Sequence, residues 1–417
     1  MIFAYIYLVT LFLAPQLWVP FFINLPVDYI IYPSWFIFIA ISGRLSRTKF
    51  CAPDYFFVAF ILWITLSIVV NGTTWNFTPI VLMKYLKWLV LYLLLRCTVS
   101  TVEQLRRVAA FTVLLVYILV VEGIQHKLSP TGINWAGQSL GWIDPAVLAA
   151  GGTGRTKWLG VFDGIGVFAV VYTIALPFVL QYASSGFSTL VTWLNRFGLP
   201  LLLLALYYTG SRGAFLATLA LISLHLAVKY HVTLKSIIGA SLIVFLAFTL
   251  APAHLTQTHD SSNSAQDRVD VWAQGMSMLA TNPIYGVGRG NFLDYTNTII
   301  AHNSGVEIVA ETGLVGLFLW VSMIAACLRA AYLRYQSSTI PVERSIVAGI
   351  MLSVVGYVIS SFFVTLEYET FYMLLALCIG TIDSRVAGQV YRRQEFFLCG
   401  SVVVAFVGVI KVVALLY

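Results

Sequence analysis

Between Asp267 and Gly313 the chain reads DRVDVWAQGMSMLATNPIYGVGRGNFLDYTNTIIAHNSGVEIVAETG, and upstream of it stands YYTGSRGAFLA. The first stretch holds Arg268, Arg289 and His302, and the second holds Arg212. Arginine carries a permanent charge on a planar fork that grips phosphate or carboxylate oxygens in pairs. Histidine is the side chain best suited to proton transfer near neutral pH. The residue types therefore point to anion binding combined with acid–base chemistry.

Each residue has a plainer reading beside the chemical one. Arg212 opens a helix, where backbone N–H groups favour an anion; it could equally reach lipid phosphates. Arg289 lies among Gly286, Gly288 and Gly290, which let backbone approach a ligand closely, or form a flexible turn around a solvated arginine. G-x-G-x-G here is not the dinucleotide fingerprint, because no strand precedes it and no βαβ unit follows. Arg268 has Asp267 and Asp270 as neighbours and could be half of a surface ion pair. His302 precedes an apolar run; Glu307 and Glu311, four residues apart, could orient it or face a bundle interior, and the imidazole could instead cap the helix. His126, His254 and His259 lack comparable neighbours, no His or Cys spacing suits zinc, and neither a P-loop nor G-x-S-x-G occurs. No metal or other cofactor is expected.

Composition fixes the scaffold. Of 417 residues, 60% are hydrophobic and 10% charged, and mean hydropathy is +0.89. A soluble domain carries about a quarter charged residues. Apolar runs occupy about 3–24, 29–42, 55–70, 80–95, 105–123, 159–182, 197–208, 214–229, 234–251, 305–328, 345–365, 371–382 and 396–417. These predict an all-α polytopic membrane protein with about 12 (12–13) transmembrane helices and one long periplasmic loop containing short helices. Continuous rather than alternating apolarity argues against a barrel. The first run has no basic flank and no cleavage site, and reads as a retained span. The five cysteines imply no disulfide framework. The net charge of +7 does not indicate nucleic acid, because Lys and Arg cluster in short loops between runs.

Those clusters agree on one topology, with the N-terminus inside. The segments 71–77, 126–158, 208–213, 253–301 and 367–369 then face out. The predicted organisation is an N-terminal transmembrane bundle (1–252), a large periplasmic loop (253–301) and C-terminal transmembrane helices (302–417). Asp267 is expected to cap a short helix lying along the membrane surface and ending at Asn282–Pro283. The 126–158 loop is formally +2, from Lys127, Arg155 and Lys157 against Asp144; the 253–301 loop is −2, from Arg268 and Arg289 against Asp260, Asp267, Asp270 and Asp294.

Four ordered pieces carry a family resemblance: Y-T-G-S-R-G-A-F-L-A around Arg212, R-x-D-x-W-x-x-G-x-x-M from Arg268, N-P-x-x-G-x-G-x-G-N-F from Asn282, and A-H-N-x-x-x-E-x-x-A-E-T-G from Ala301. The set resembles the bacterial O-antigen ligase and O-antigen polymerase family, which transfers glycans from a polyprenyl diphosphate. The resemblance implies that Arg212 and Arg289, with Arg268 less directly, bind the lipid diphosphate and that His302 acts as base. Arg155, Lys157, Glu307 and Glu311 join these as candidate substrate-binding residues. The expected activity is metal-independent, inverting transfer from undecaprenyl-diphosphate-linked O-antigen to a lipid A–core sugar hydroxyl, at the periplasmic face of the bacterial inner membrane. The competing readings are an O-antigen polymerase, which needs cations for a second lipid diphosphate, and a lipid-linked oligosaccharide flippase. A transporter usually places its polar residues at midplane in duplicated halves, and no such duplication is visible here.

Overall fold

The computed structural model describes all residues except 24, 73–77, 142–153, 185, 231–260, 381, 383–388 and 417. The apolar run at 234–251, residues 253–260 of the expected loop, and His254, His259 and Asp144 lie outside the described residues. Fifteen α-helices are described: α1 (Ile2–Phe12), α2 (Val27–Ile41), α3 (Arg44–Arg47), α4 (Ala52–Val70), α5 (Thr78–Thr98), α6 (Val102–Leu128), α7 (Ile165–Tyr182), α8 (Thr189–Thr209), α9 (Arg212–Tyr230), α10 (Ser261–Thr281), α11 (Phe292–Tyr295), α12 (Ser304–Ser337), α13 (Pro341–Ser360), α14 (Glu369–Gly380) and α15 (Arg393–Leu416). Among the described residues there is no strand, only two isolated bridges.

Seven of the described helices are long and apolar enough to cross a membrane: α4, α6, α7, α8, α12, α13 and α15. Four apolar helices are shorter: α1, α2, residues 212–227 of α9, and α14. Among the described residues the regular structure is all-helical, as in a multi-pass membrane protein, since only structures that satisfy their own backbone groups persist in lipid.

Contacts divide the chain into two units that interleave in sequence. One comprises 1–38, 101–259 and 338–360; the other comprises 39–100, 260–337 and 361–417. Inside the first, α7 is the core helix, packed by α6, α8, α9 and α13. It is apolar all round, as a helix without a solvent or lipid face must be. Small residues let its neighbours close in: a Cβ at Gly349 of α13 would stand 2.7 Å from the Phe178 ring, and Ser353 Oγ donates to the Ile174 carbonyl at 2.7 Å.

Inside the second unit, α12 is central, with α4, α10, α14 and α15 against it. Here α10 differs from expectation. It starts at Ser261, so Asp267 lies within the helix instead of capping it, and it packs on α12 and α15. Its first turns are polar and unpatterned, so apolar periodicity shows only from Val271 onward. Its end at Thr281, before Asn282–Pro283, falls where proline forces it.

Candidate functional site

The second unit's site is built on a break in α12. Gly313 adopts φ +69° and ψ −172°, interrupting the helix between Ser304 and Ser337. A break orphans the carbonyls of the preceding turn and the N–H groups of the next. Neighbouring chain supplies partners for them. Val287 N donates to the Ala310 carbonyl (3.0 Å), Gly288 N to Glu311 (2.9 Å), and Leu314 N to Pro283 (2.9 Å). From α4, Trp63 Nε1 donates to the Thr312 carbonyl (2.8 Å) and Ser67 Oγ to that of Glu311 (2.9 Å).

This pairing explains two of the motif glycines. A Cβ at Gly286 would fall 2.3 Å from the Glu311 carbonyl carbon, and one at Gly313 would fall 2.1 Å from the Ile284 oxygen. The close approach read from the sequence is real, and its partner is the protein's own helix. The N-P-x-x-G piece and the E-T-G piece are two sides of one backbone junction.

The junction carries Arg289 into a nest of carboxylates. Arg289 is 7% exposed. Its Nε donates to Tyr85 Oη at 2.8 Å, Nη1 donates to Glu311 and, at 3.3 Å, to Glu307, and Nη2 donates to Glu367. Glu311 also accepts the backbone N–H groups of Gly290 (3.0 Å) and Phe292 (2.8 Å), which fastens the loop to α12. Glu367 accepts the Tyr372 hydroxyl at 2.8 Å, and Glu307 accepts Thr365 Oγ1 at 3.0 Å. Burial works against the guanidinium charge, but Glu311 and Glu367 outweigh it and hold Arg289 well above the ordinary arginine range. Lys84 of α5 lies in the field of the same groups. Two cations, Arg289 and Lys84, against three carboxylates leave this cluster formally at −1, an arrangement suited to fixing a loop rather than attracting a diphosphate.

His302 stands apart from that cluster's hydrogen bonds. Asn303, not His302, caps α12, its Oδ1 accepting from Gly305 N (3.0 Å) and Val306 N (3.2 Å). Ala301 is buried and its carbonyl accepts Trp272 Nε1 at 2.8 Å, tying the segment to α10. Held on both sides, His302 takes a left-handed φ of 49°, a strained conformation that needs such over-determination. Its ring is half-buried. Arg268 is one turn before Trp272 on α10, hence on the same helix face. Burial, then the Arg268 charge, lowers the His302 pKa below its ordinary value. The imidazole is therefore neutral at neutral pH, with a lone pair able to take a proton. Glu307 engages Arg289 and Thr365, and Glu311 engages Arg289, so of the two readings open to these carboxylates the structure favours the one facing the bundle interior.

The first unit holds the other candidates. Gly210, at φ +62°, makes the turn before α9, and a Cβ there would meet Arg155 Cδ and Nε at 3.1 Å. Thr156 N donates to the Tyr208 carbonyl at 3.1 Å, and Gly141 and Arg155 pair through their backbones. The sequence-distant Arg155 is thus laid against the turn leading into Arg212. Burial and the Arg212 charge both lower the Arg155 pKa, the signature of two cations held close. Among the described residues no carboxylate forms a salt bridge with either. Lys157, by contrast, pairs with Asp163 at 3.3 Å.

The structure therefore groups Arg155 with Arg212, Arg268 with His302, and Arg289 with Glu307 and Glu311. Tyr85 and Glu367 complete the last group, and neither belongs to a sequence motif. Glu367 carries one signal, an acidic residue in a short turn between two apolar runs. No curated protein matches the chain. Residues 197–321, which include Arg212, Arg268, Arg289 and His302, match the family model described as O-antigen ligase.

Proposed function

We propose that the protein is an O-antigen ligase, moving a glycan from undecaprenyl diphosphate to a sugar hydroxyl of lipid A–core at the periplasmic face of the inner membrane. The observation that carries the mechanism is His302: a half-buried imidazole on a strained, doubly tethered backbone, its pKa lowered by burial and then by the Arg268 charge. The acceptor hydroxyl attacks the anomeric carbon, and its proton passes to the His302 ring nitrogen. The C1–O bond to the phosphate breaks, and its electron pair leaves on the diphosphate. Attack opposite the leaving group inverts the anomeric centre.

Arg212 and Arg155 supply the grip on the diphosphate in this reading, since two cations with no carboxylate partner among the described residues are a ready phosphate fork. Two guanidinium groups give the charge stabilisation that a metal gives elsewhere, so the transfer is read as metal-independent. Burial, and after it the Arg268 charge, favours the unprotonated His302 ring. Arg289 moves from the diphosphate-binding role expected of it to a positioning one: with Glu311 it holds the loop between α10 and α12. The polymerase reading needs cations for a second lipid diphosphate. Arg155 stands with Arg212 and Lys157 with Asp163, which supports a single such site.

Purified protein, lipid-linked glycan and lipid A–core test the proposal directly. Glycan recovered on core supports a ligase. Glycan chains joined on the lipid carrier would make it a polymerase, and glycan left on its original lipid would make it a flippase.

A further inference from the structure

A titratable pair that the proposed mechanism does not use lies in the first unit. Glu122 and His126 are one turn apart on α6 and 0% and 1% exposed. Among the described residues, neither Glu122 oxygen has a hydrogen-bond partner, and neither has His126 Nδ1. Nδ1 lies 4.0 Å from Glu122 Oε1. The other ring nitrogen, Nε2, is 3.2 Å from the Gly132 carbonyl. A carbonyl can only accept, so Nε2 carries the N–H and the neutral ring presents its Nδ1 lone pair to Glu122.

Two acceptors facing one another in a buried span cannot be the resting state. An ionised Glu122 would be a bare charge opposite a lone pair, with its full desolvation cost unmet. One proton between them satisfies both. We infer that Glu122 and His126 form an enclosed proton-binding site, holding one proton between Oε1 and Nδ1 so that the pair carries no net charge. The proton resides on Glu122. The alternative, carboxylate and imidazolium, places two full charges inside a buried span. The other titratable group brought against the pair, among the described residues, is Tyr172 of α7, whose hydroxyl donates to the Leu119 carbonyl at 3.1 Å. A small side-chain rotation or one bridging water closes the 4.0 Å gap.

The site also anchors structure. Through Nε2 it holds the segment beginning at Gly132, where Asn134 N donates to the Gln138 carbonyl at 2.9 Å and Gly141 reaches Arg155. The inference does not rest on the proposed function.

Infrared difference spectra of the full-length protein in lipid test it. Subtracting Glu122→Gln from wild type at neutral pH should reveal one carboxylic-acid C=O band, sensitive to deuterium exchange. In His126→Phe that band should persist and move to higher frequency, because its hydrogen-bond acceptor is gone. Loss of a carboxylate band instead, or an acid band that His126→Phe leaves unshifted, overturns the inference. If Glu122→Gln does not fold, His126→Phe compared with wild type separates the same outcomes.

Discussion

Replacing Arg289 with methionine separates the two roles open to this arginine. Methionine keeps the length and apolar stem and removes the guanidinium. The side chains of Glu311 and Glu367, each 2% exposed, then face each other and Tyr85 with Lys84 as the one cation left in the cluster. Removing one partner of a buried pair costs about 3–5 kcal/mol, because the charge left behind stays buried. Two of the three carboxylates here are in that position, so the loss belongs at the upper end of the range. Thermal unfolding in detergent micelles, followed by tryptophan fluorescence, should show Arg289→Met strongly destabilised. Adding Glu311→Gln and Glu367→Gln should recover much of the loss, since the charges that needed the arginine are gone. Arg289→Lys should recover only part, because a single ammonium cannot meet Tyr85 and three carboxylates at once. If Arg289→Met melts with the wild type and loses only transfer activity, the cluster is not what holds the loop, and Arg289 faces substrate after all.

Other outcomes follow from the same geometry. The His302 pKa is depressed, and protonation removes the base, so the acid limb of the transfer rate should lie below the ordinary histidine value of about 6.5. Arg268→Gln removes one of the two causes, and a pH–rate profile should show that limb displaced toward higher pH. Gly286→Ala should abolish stable folding, as judged by size-exclusion chromatography, because its Cβ has nowhere to go beside Glu311 and its φ is +68°. Arg212→Lys and Arg155→Lys should each weaken donor use, seen as a raised KM for the lipid-linked glycan. Combined, they should fall short of additivity, as neighbours on one ligand do.

Much of the scaffold is readable in the sequence because continuous apolar runs leave few alternatives, and proline at 283 marks the end of α10. The break in α12 is not. The run at 305–328 reads as one helix despite Glu307 and Glu311, and a glycine at φ +69° looks like any other until its neighbour Ile284 is in place. Arg289, His302 and Arg212 stand out through their motifs, but their partners do not. Tyr85 is 204 residues from Arg289 and Glu367 is 78, and no local spacing signals such contacts. His126 looks like a loop histidine because the apolar run ends at Gly123. The helix continues to Leu128 and places His126 one turn beyond Glu122, a pair visible only once that boundary moves.

The central claim, that His302 takes the acceptor's proton during glycan transfer, is met most directly by single-turnover transfer with purified protein, a defined lipid-diphosphate glycan and lipid A–core. His302→Ala should lose about 10²–10⁴-fold in the rate of glycan arrival on core, with donor binding and thermal stability close to wild type. Transfer by His302→Ala at the wild-type rate would contradict the account.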